Sequence, residues 1–223
     1  MLASQNERFI KSEHGRSVRI MSEFLASKAI IEDNKIDKTI VLFGSARTKP
    51  ENKYYQAAND LALKIGEWAK NQPRKYAICT GGGPGIMEAG NKGAREAGAH
   101  SLGFCIELPF EQSTNPYVDE NLDVEFHYFF LRKFWFLSKS AAIVVFPGGF
   151  GTFDELFESL TMLQNKKTSK VPLVLFGTEF WKEIVNWQKF IDDGMIDKED
   201  MDFIKFSDDV DEVFRYISDE LNG

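Results

Sequence analysis

The sequence predicts an α/β fold, in which a doubly wound and mostly parallel sheet carries helices on both faces. Near-continuous apolar runs alternate along the chain with longer segments whose apolar residues recur at helical spacing. This alternation is typical of parallel strands that are joined by crossover helices and buried on both faces. Two of the apolar runs end in glycine-rich turns that lead directly into a helical segment. Both turns are therefore expected at the carboxyl edge of the sheet, where ligands of such sheets bind.

The individual elements follow from the same pattern. Runs rich in β-branched and aromatic residues predict strands at 39–43, 76–80, 101–106, 141–146 and 171–176, a less regular edge strand at 123–128 and a short late strand at 203–206. Helical spacing of apolar residues predicts helices at 53–70, 84–98, 129–139, 152–165, 179–190 and 208–220.

Residues 1–38 are predicted to form a helical extension that precedes the main domain at 39–223. An amphipathic helix at 17–34 carries one apolar stripe, which consists of Ile20, Phe24, Ser27 and Ile31. The pattern fits packing of this stripe on the chain's own domain and a contact in an oligomer equally well.

Composition restricts the partners. A chain of 223 residues, 43% of them hydrophobic, can bury the core of one α/β domain. The net charge of −7 disfavours a nucleic-acid partner, which would require a basic stripe. We expect a cytoplasmic protein without a membrane contact, because no run approaches the ~20 apolar residues of a membrane span and no signal-peptide pattern opens the chain. Cys79 and Cys105 lie in strand-like runs and are expected to be buried thiols.

The glycine turns run from Thr80 to Gly85 and from Pro147 to Thr152. A strand that enters a helix through glycines leaves backbone N–H groups free at the positive end of the helix dipole, and such groups bind phosphate. Neither turn has the G-x-G-x-x-G or the G-K-[ST] pattern of the common nucleotide-binding loops. We therefore predict a phosphorylated small molecule as the ligand.

Glu155 has two interpretations. The run from Thr152 to Glu155 fits a capping box, with Thr152 as the N-cap and the Glu155 side chain bonded back to its N–H group. Alternatively, the Glu155 carboxylate faces the ligand beside the second glycine turn.

Arginines mark a further candidate region. Arg132 lies within the aromatic segment 126–136 and needs an anionic partner, either a protein carboxylate or the ligand, because arginine is rarely buried alone. Arg47, after the first predicted strand, is a weaker candidate of the same kind. The histidines lack the spacing of metal ligands, and we predict neither a metal site nor a cofactor.

Three motifs together resemble the "lonely guy" (LOG) family over roughly residues 38–220. They are Gly81-Gly82-Gly83-Pro84-Gly85-Ile86-Met87, Arg132-Lys133 and Pro147-Gly148-Gly149-Phe150-Gly151-Thr152-Phe153-Asp154-Glu155. Members of this family are cytokinin riboside 5′-monophosphate phosphoribohydrolases, and many were once described as possible lysine decarboxylases. The resemblance implies a Rossmann-like fold and hydrolysis of the N-glycosidic bond of a purine nucleoside 5′-monophosphate. AMP or a cytokinin riboside 5′-monophosphate would give the free base and ribose 5-phosphate.

The resemblance places the catalytic residues on Arg132 and Glu155. The substrate- and phosphate-binding residues would be Gly44, Ser45, Gly82, Gly83, Met87, Lys133, Gly148, Gly149, Gly151 and Thr152. In this assignment the Glu155 carboxylate stabilises positive charge on the ribose and orients the attacking water. Arg132, which is too weak an acid to donate a proton, stabilises charge and positions the phosphate or the departing base. A homodimer or larger homo-oligomer, with segment 126–136 near the interface, is also expected.

Parts of the chain depart from the family pattern, and other classes of protein remain to be weighed. Residues 106–111 and the N-terminal extension differ from the shorter plant type, which leaves base specificity and oligomer size open. No lysine stands beside the turns to anchor pyridoxal phosphate, so the decarboxylase description gains no support. A dinucleotide-dependent enzyme with Glu107 as its ribose-binding acid lacks the fingerprint. A non-catalytic nucleotide or cofactor carrier, such as a molybdenum-cofactor carrier, would share the fold but would not need the pair Arg132 and Glu155.

Overall fold

A computed structural model describes residues 2–107 and 114–222, so that only Ile106 and Glu107 of the segment 106–111 are included. Its strands are β1 (Lys38–Phe43), β2 (Tyr76–Thr80), β3 (His100–Ile106), β4 (Asp123–Phe126), β5 (Ser140–Val145), β6 (Leu173–Phe176) and β7 (Ile204–Ser207). They form one sheet in the order β4-β3-β2-β1-β5-β6-β7, and every neighbouring pair is parallel. The predicted α/β fold with a parallel sheet is therefore confirmed.

Helices cover both faces of this sheet. They are α1 (Glu7–Lys11), α2 (Arg16–Asp33), α3 (Lys53–Ala69), α4 (Ile86–Glu96), α5 (Phe129–Lys139), α6 (Phe150–Gln164), α7 (Thr178–Ile184), α8 (Trp187–Asp192) and α9 (Val210–Asn222). No helix in the described parts of the chain is long and apolar enough to cross a membrane.

Alternate residues of the central strands enter two separate hydrophobic cores. On β1, Val41 and Phe43 belong to the core that includes residues of α2, α5, α6 and α7, whereas Ile40 and Leu42 belong to the core with α3, α4 and α9. Because side chains alternate between the two faces of a strand and both faces are covered, β1 is apolar at each of the consecutive positions 40–43. This is why the strands appear as continuous apolar runs in the sequence.

The N-terminal helix α2 packs on the sheet domain. Ile31 is fully buried in the first core, and Ile20 and Phe24 pack against that core. The carboxylate of Glu23 accepts the backbone N–H of Tyr128, the residue that precedes α5, at 3.2 Å. The apolar stripe of the extension is thus accounted for by contacts within the chain.

Several predicted boundaries differ from the structure for identifiable reasons. The helix predicted at 179–190 is two helices, α7 and α8, because Val185 adopts an extended conformation and the Asn186 side chain caps α8 by accepting the N–H of Lys189. Helix α4 begins at Ile86 rather than Pro84, because Gly85 has a φ of +70° that is incompatible with the helix.

The strand order reverses between β1 and β5, which are neighbours at the centre of the sheet. The loops after β1, β2 and β5 consequently meet at one edge. The Ser45 N–H donates to the Pro147 carbonyl at 3.1 Å, and the Ile86 N–H donates to the Ser45 carbonyl at 3.0 Å. These hydrogen bonds join the loops that contain both glycine turns, and a ligand crevice is expected at such a switch point.

Candidate active site

A cavity of about 870 Å³ opens at the edge where these loops meet. Its lining includes all of the predicted site residues except Lys133, namely Gly44, Ser45, Gly82, Gly83, Met87, Arg132, Gly148, Gly149, Gly151, Thr152 and Glu155. Arg47, the weaker candidate, also lines it. The carboxyl edge of the sheet therefore brings residues from distant parts of the sequence into one space.

The second glycine turn leaves backbone donors free. Helix α6 begins at Phe150, with Gly149 as its N-cap. Within the described chain no acceptor bonds to the N–H groups of Phe150, Gly151 and Thr152, whereas the Phe153 N–H donates to the Gly149 carbonyl at 3.0 Å. Free N–H groups at the positive end of a helix form an anion site.

The glycines of this turn fall into two kinds. A Cβ atom at Gly148 would collide with the Thr152 side chain, so the protein itself requires glycine there. Apart from its own chain neighbours and helix backbone, a Cβ atom at Gly149 or Gly151 would meet no atom of residues 2–107 and 114–222 within 4 Å, and both glycines line the cavity. At Gly149 and Gly151 the protein leaves room that a bound group can use.

The capping-box interpretation of Glu155 is wrong. Thr152 lies inside the first turn of α6 instead of preceding it, since the helix already begins after Gly149. Glu155 is consequently one turn further into the helix than an N3 residue, and the N-cap is Gly149, which has no side chain with which to cap the helix. Glu155 instead lines the cavity beside the second glycine turn, where its other interpretation places it.

The first glycine turn differs from the second, although the sequence predicts both as phosphate-binding devices. The Gly82 N–H donates to Thr80 Oγ1 at 3.0 Å. Asn115 bonds to the same turn twice: its backbone N–H donates to the Gly82 carbonyl at 2.8 Å, and its Nδ2 donates to the Gly83 carbonyl at 3.0 Å. Much of the hydrogen-bonding capacity of this turn is therefore used within the protein, and the turn forms a wall of the cavity.

The side-chain amide of Asn91 supports that wall from behind, and the sequence analysis does not predict this role. The Asn91 side chain accepts from Thr80 Oγ1 and from Asn115 Nδ2, and it donates to Ser101 Oγ at 2.9 Å. Asn91 is fully buried. In the sequence, Asn91 resembles a polar surface residue of α4. The one available signal is that a polar residue stands on the otherwise apolar face of this helix, where it must find hydrogen-bond partners.

Arg132 extends from α5 to the cavity and is held mainly by neutral groups. Its Nε donates to the Phe104 carbonyl at 2.7 Å, and its guanidinium carbon lies 5.2 Å from the centre of the Phe136 ring. The guanidinium also lies against Gly81, where a side chain would collide with it. Among the described residues no carboxylate oxygen lies within 4.0 Å of its nitrogens. Burial lowers the pKa of Arg132, and the charge of Glu155 opposes that effect.

Glu155 is largely buried in the cavity wall. Burial raises the pKa of its carboxyl group to about 7, although the positive charges of Arg132 and Lys133 act to lower it. The like charges of Asp154 and Glu158 contribute to the increase. A carboxyl group with this pKa can exchange a proton near neutral pH, as an acid–base catalyst must.

Apolar side chains and a cysteine form part of the remaining lining. Phe129, Phe150 and Ile184 line the cavity and are strongly exposed, at 53%, 98% and 59%. Cys105 also lines it, but burial raises the pKa of its thiol to about 12, which excludes a thiolate nucleophile at neutral pH. The prediction that both cysteines are buried thiols is confirmed. Residues 2–107 and 114–222 contain no group of three or more His, Cys, Asp or Glu that could hold a metal ion.

Comparison with known proteins adds the family. The family model described as "Possible lysine decarboxylase" matches residues 87–217. The chain is similar to a pyrimidine/purine nucleotide 5′-monophosphate nucleosidase of Escherichia coli strain K12, with 32% identity over 136 residues that cover 55% of this chain and 28% of the relative. It is also similar to a probable cytokinin riboside 5′-monophosphate phosphoribohydrolase of Arabidopsis thaliana, with 30% identity over 130 residues, which cover 57% of this chain and 60% of the relative. The matched region is thus less than two thirds of either relative.

Solved structures share the fold. An X-ray structure of a structural-genomics target is similar at a TM-score of 0.53 and 26% identity, and the match covers 82% of this chain and 99% of that chain. The molybdenum cofactor carrier protein of Chlamydomonas reinhardtii is similar at a TM-score of 0.57 and 23% identity, covering 84% of this chain and 99% of the carrier. The family model matches more than half of the chain, and this protein therefore belongs to the LOG family, that of the possible lysine decarboxylases.

Proposed function

We propose that this protein hydrolyses the N-glycosidic bond of a purine nucleoside 5′-monophosphate to give the free base and ribose 5-phosphate. The observation that carries the proposal is the convergence of three groups on one cavity: the free N–H groups of α6, the Arg132 guanidinium and the Glu155 carboxyl group. This reaction requires an anchor for an anion, a positive charge and an ionisable carboxyl group. The names of the bacterial and plant relatives agree with this chemistry.

The phosphate would bind at the start of α6, beside Gly149 and Gly151. The bond between the anomeric carbon and the base nitrogen then breaks, and its electron pair leaves with the base. The oxygen of a water molecule bonds to the anomeric carbon, and a proton from that water ends on the base. Positive charge develops on the ribose during this step.

Glu155 and Arg132 would act on opposite charges. The ionised Glu155 carboxylate stabilises the positive ribose and orients the water, from which it can accept a proton. Arg132 remains protonated, so it stabilises negative charge on the phosphate or on the departing base. The exposed rings of Phe129 and Phe150 offer a flat apolar surface for the base.

The proposal is tested by incubating the protein with a panel of nucleoside 5′-monophosphates and detecting the free base. We expect AMP or an N6-substituted AMP to be hydrolysed and adenosine to be at least 10²-fold poorer in kcat/KM, because binding energy from the phosphate orients the reacting bond. Equal turnover of AMP and adenosine would contradict the phosphate anchor.

A non-catalytic carrier is the second candidate, because the molybdenum cofactor carrier protein described above shares the fold. A carrier needs no ionisable carboxyl group opposite an arginine. Arg132 has no carboxylate within 4.0 Å among residues 2–107 and 114–222, and its pairing with Glu155 in one cavity is why we favour the hydrolase. Tight binding of nucleotide with no base released from any member of the panel would favour the carrier.

Gly151→Ala separates binding from folding. Alanine at this helical position is expected to keep or increase the free energy of unfolding, by up to about 1 kcal/mol, because alanine favours helix over glycine and its Cβ atom would collide with no other described residue. The same methyl group enters the cavity beside the free N–H groups, so the Kd for AMP should increase at least 10-fold. Denaturant unfolding and a binding titration on one preparation measure both effects. An unchanged Kd would place the phosphate elsewhere.

We further propose a homodimer or larger homo-oligomer in which helix α5 contributes to the interface. Phe130 and Phe134 of α5 are 54% and 46% exposed, and Met21 and Leu25 of α2 are 55% and 54% exposed. Apolar side chains of this size are enriched in the buried centres of interfaces. Light scattering at micromolar concentration is expected to give at least twice the mass of the chain, and Phe134→Glu should reduce that mass. A monomer would refute the proposal.

A further inference from the structure

Lys133 follows Arg132 in the sequence but does not line the cavity. Its Nζ lies 3.0 Å from Asp154 Oδ1 and 3.0 Å from Glu158 Oε2, and its side chain is only 20% exposed. Burial acts to lower the pKa of Lys133, but the two carboxylates outweigh burial and raise it. The ammonium group is therefore charged and already has two anionic neighbours, which leaves it poorly placed to bind a substrate phosphate.

The partners of Lys133 adjoin the other proposed catalytic residue. Asp154 precedes Glu155 on α6, and Glu158 lies one turn beyond Asp154. Successive residues of a helix point about 100° apart. Arg132 can therefore face the cavity while Lys133, its sequence neighbour, points toward α6. There Lys133 pairs with Asp154, which also lines the cavity beside Glu155, and the pair links the same turns of α5 and α6.

We infer that Lys133 is a positioning residue that fixes α6 against α5 and so sets the separation of Arg132 and Glu155. The inference rests on the proposed function and replaces a direct role of Lys133 in substrate binding. Asp154 and Glu158 are like charges at i and i+4, which repel one another on a helix surface. Lys133 offsets that repulsion and anchors both carboxylates to the neighbouring helix.

Lys133→Met retains the length of the side chain and removes its charge. We expect kcat for nucleotide hydrolysis to fall at least 10-fold, since small displacements of catalytic groups are costly. The KM for the nucleotide should change by less than 3-fold, because the phosphate donors of α6 are not altered. The acidic limb of the rate profile should move to higher pH, since Lys133 acts to lower the pKa of Glu155 while Asp154 and Glu158 raise it. Lys133→Arg, which can reach both carboxylates, should restore most of kcat.

A cycle of variants tests the mechanism of this effect. In the background Asp154→Asn with Glu158→Gln, the two ion pairs of Lys133 are already absent. Adding Lys133→Met should then have almost no further effect on kcat. These two substitutions also test the inference if Lys133→Met fails to fold, because they remove the carboxylate partners and leave the lysine in place. Lys139→Met, on the last turn of the same helix, is the matched control and should behave as wild type.

Two measurements keep this test independent of the proposed activity. Melting temperatures of the four proteins of the cycle should be non-additive, and AMP binding should be retained in all of them. If the wild type released no base, the proposed function would fail. The coupling of Lys133 to Asp154 and Glu158 could still be judged from the non-additive melting temperatures. Additive melting temperatures would overturn the inference. A rise of 10-fold or more in the KM or Kd for AMP with an unchanged kcat would also overturn it, because Lys133 would then bind the substrate.

Discussion

Replacement of Glu155 by glutamine is expected to reduce kcat for base release by about 10²-fold or more. Glutamine has nearly the same shape but carries no charge, so it can neither stabilise a positive ribose nor accept a proton from water. The free N–H groups of α6 are unchanged, and AMP should bind with a similar Kd. Glu183→Gln, at an exposed position of α7, is the control and should keep wild-type activity. Near-normal base release by Glu155→Gln would remove Glu155 from the mechanism.

The same variant is expected to be more stable than the wild type above pH 7. Because the pKa of Glu155 is raised to about 7 from 4.5, the folded state binds a proton more tightly than the unfolded state between these values. Stability therefore decreases as pH rises through this window and stays lower above it. The loss amounts to about 3 kcal/mol, and glutamine avoids it.

Unfolding measured at pH 4.5 and at pH 8 separates this effect from a general change in packing. The variant should differ little from the wild type at pH 4.5 and exceed it at pH 8, and an equal difference at both pH values would contradict the assignment. In the rate profile of the wild type, kcat/KM should rise with pH through about 7 as Glu155 ionises. The residual activity of Glu155→Gln should lack that dependence.

Arg132→Lys is expected to reduce kcat/KM for the nucleotide by about 10²-fold or more, although the charge is retained. The arginine uses Nε to bond the Phe104 carbonyl while one of its terminal nitrogens lies against Gly81. A lysine has one nitrogen and cannot occupy both places. The substitution also leaves the Phe104 carbonyl without this donor, which should lower stability by about 1–3 kcal/mol.

Arg95→Lys provides the matched control, because Arg95 is half exposed and lies 3.9 Å from Asp119, away from the cavity lining. Its activity should remain within 2-fold of the wild type. Wild-type activity of Arg132→Lys would mean that a charge alone suffices at this position, and that the hydrogen bond to Phe104 serves only the fold.

Much of the fold could be predicted because parallel strands buried on both faces have an unmistakable composition. The run from 76 to 80 and the helix from 129 to 139 are observed at the predicted positions. The errors in the predicted helix boundaries occur where the backbone conformation of a single residue determines the end of a helix. Val185 could have continued a helix, and only its extended conformation before the Asn186 cap divides α7 from α8.

The location of the candidate site could be predicted as well, since loops at the carboxyl ends of neighbouring parallel strands must meet. The direction of each side chain could not. Spacing along the chain does not show that Arg132 bonds a backbone carbonyl whereas Lys133 bonds two carboxylates of α6. It also does not show that the first glycine turn bonds to Asn115 from a distant loop. These contacts depend on packing between elements that are far apart in the sequence.

The two kinds of glycine in the second turn give a criterion for sorting relatives of this chain. Gly148 is constrained by the Thr152 side chain, so a relative that keeps this turn and Thr152 is expected to keep Gly148 as well. A Cβ atom at Gly149 or Gly151 would meet no other part of the described chain within 4 Å, so the fold alone does not select for glycine at these two positions. In a lineage that no longer binds a phosphorylated ligand, these two positions should accumulate other residues while position 148 stays glycine. Divergence at 149 and 151 would then mark loss of the ligand in the sequence itself, before any assay is made.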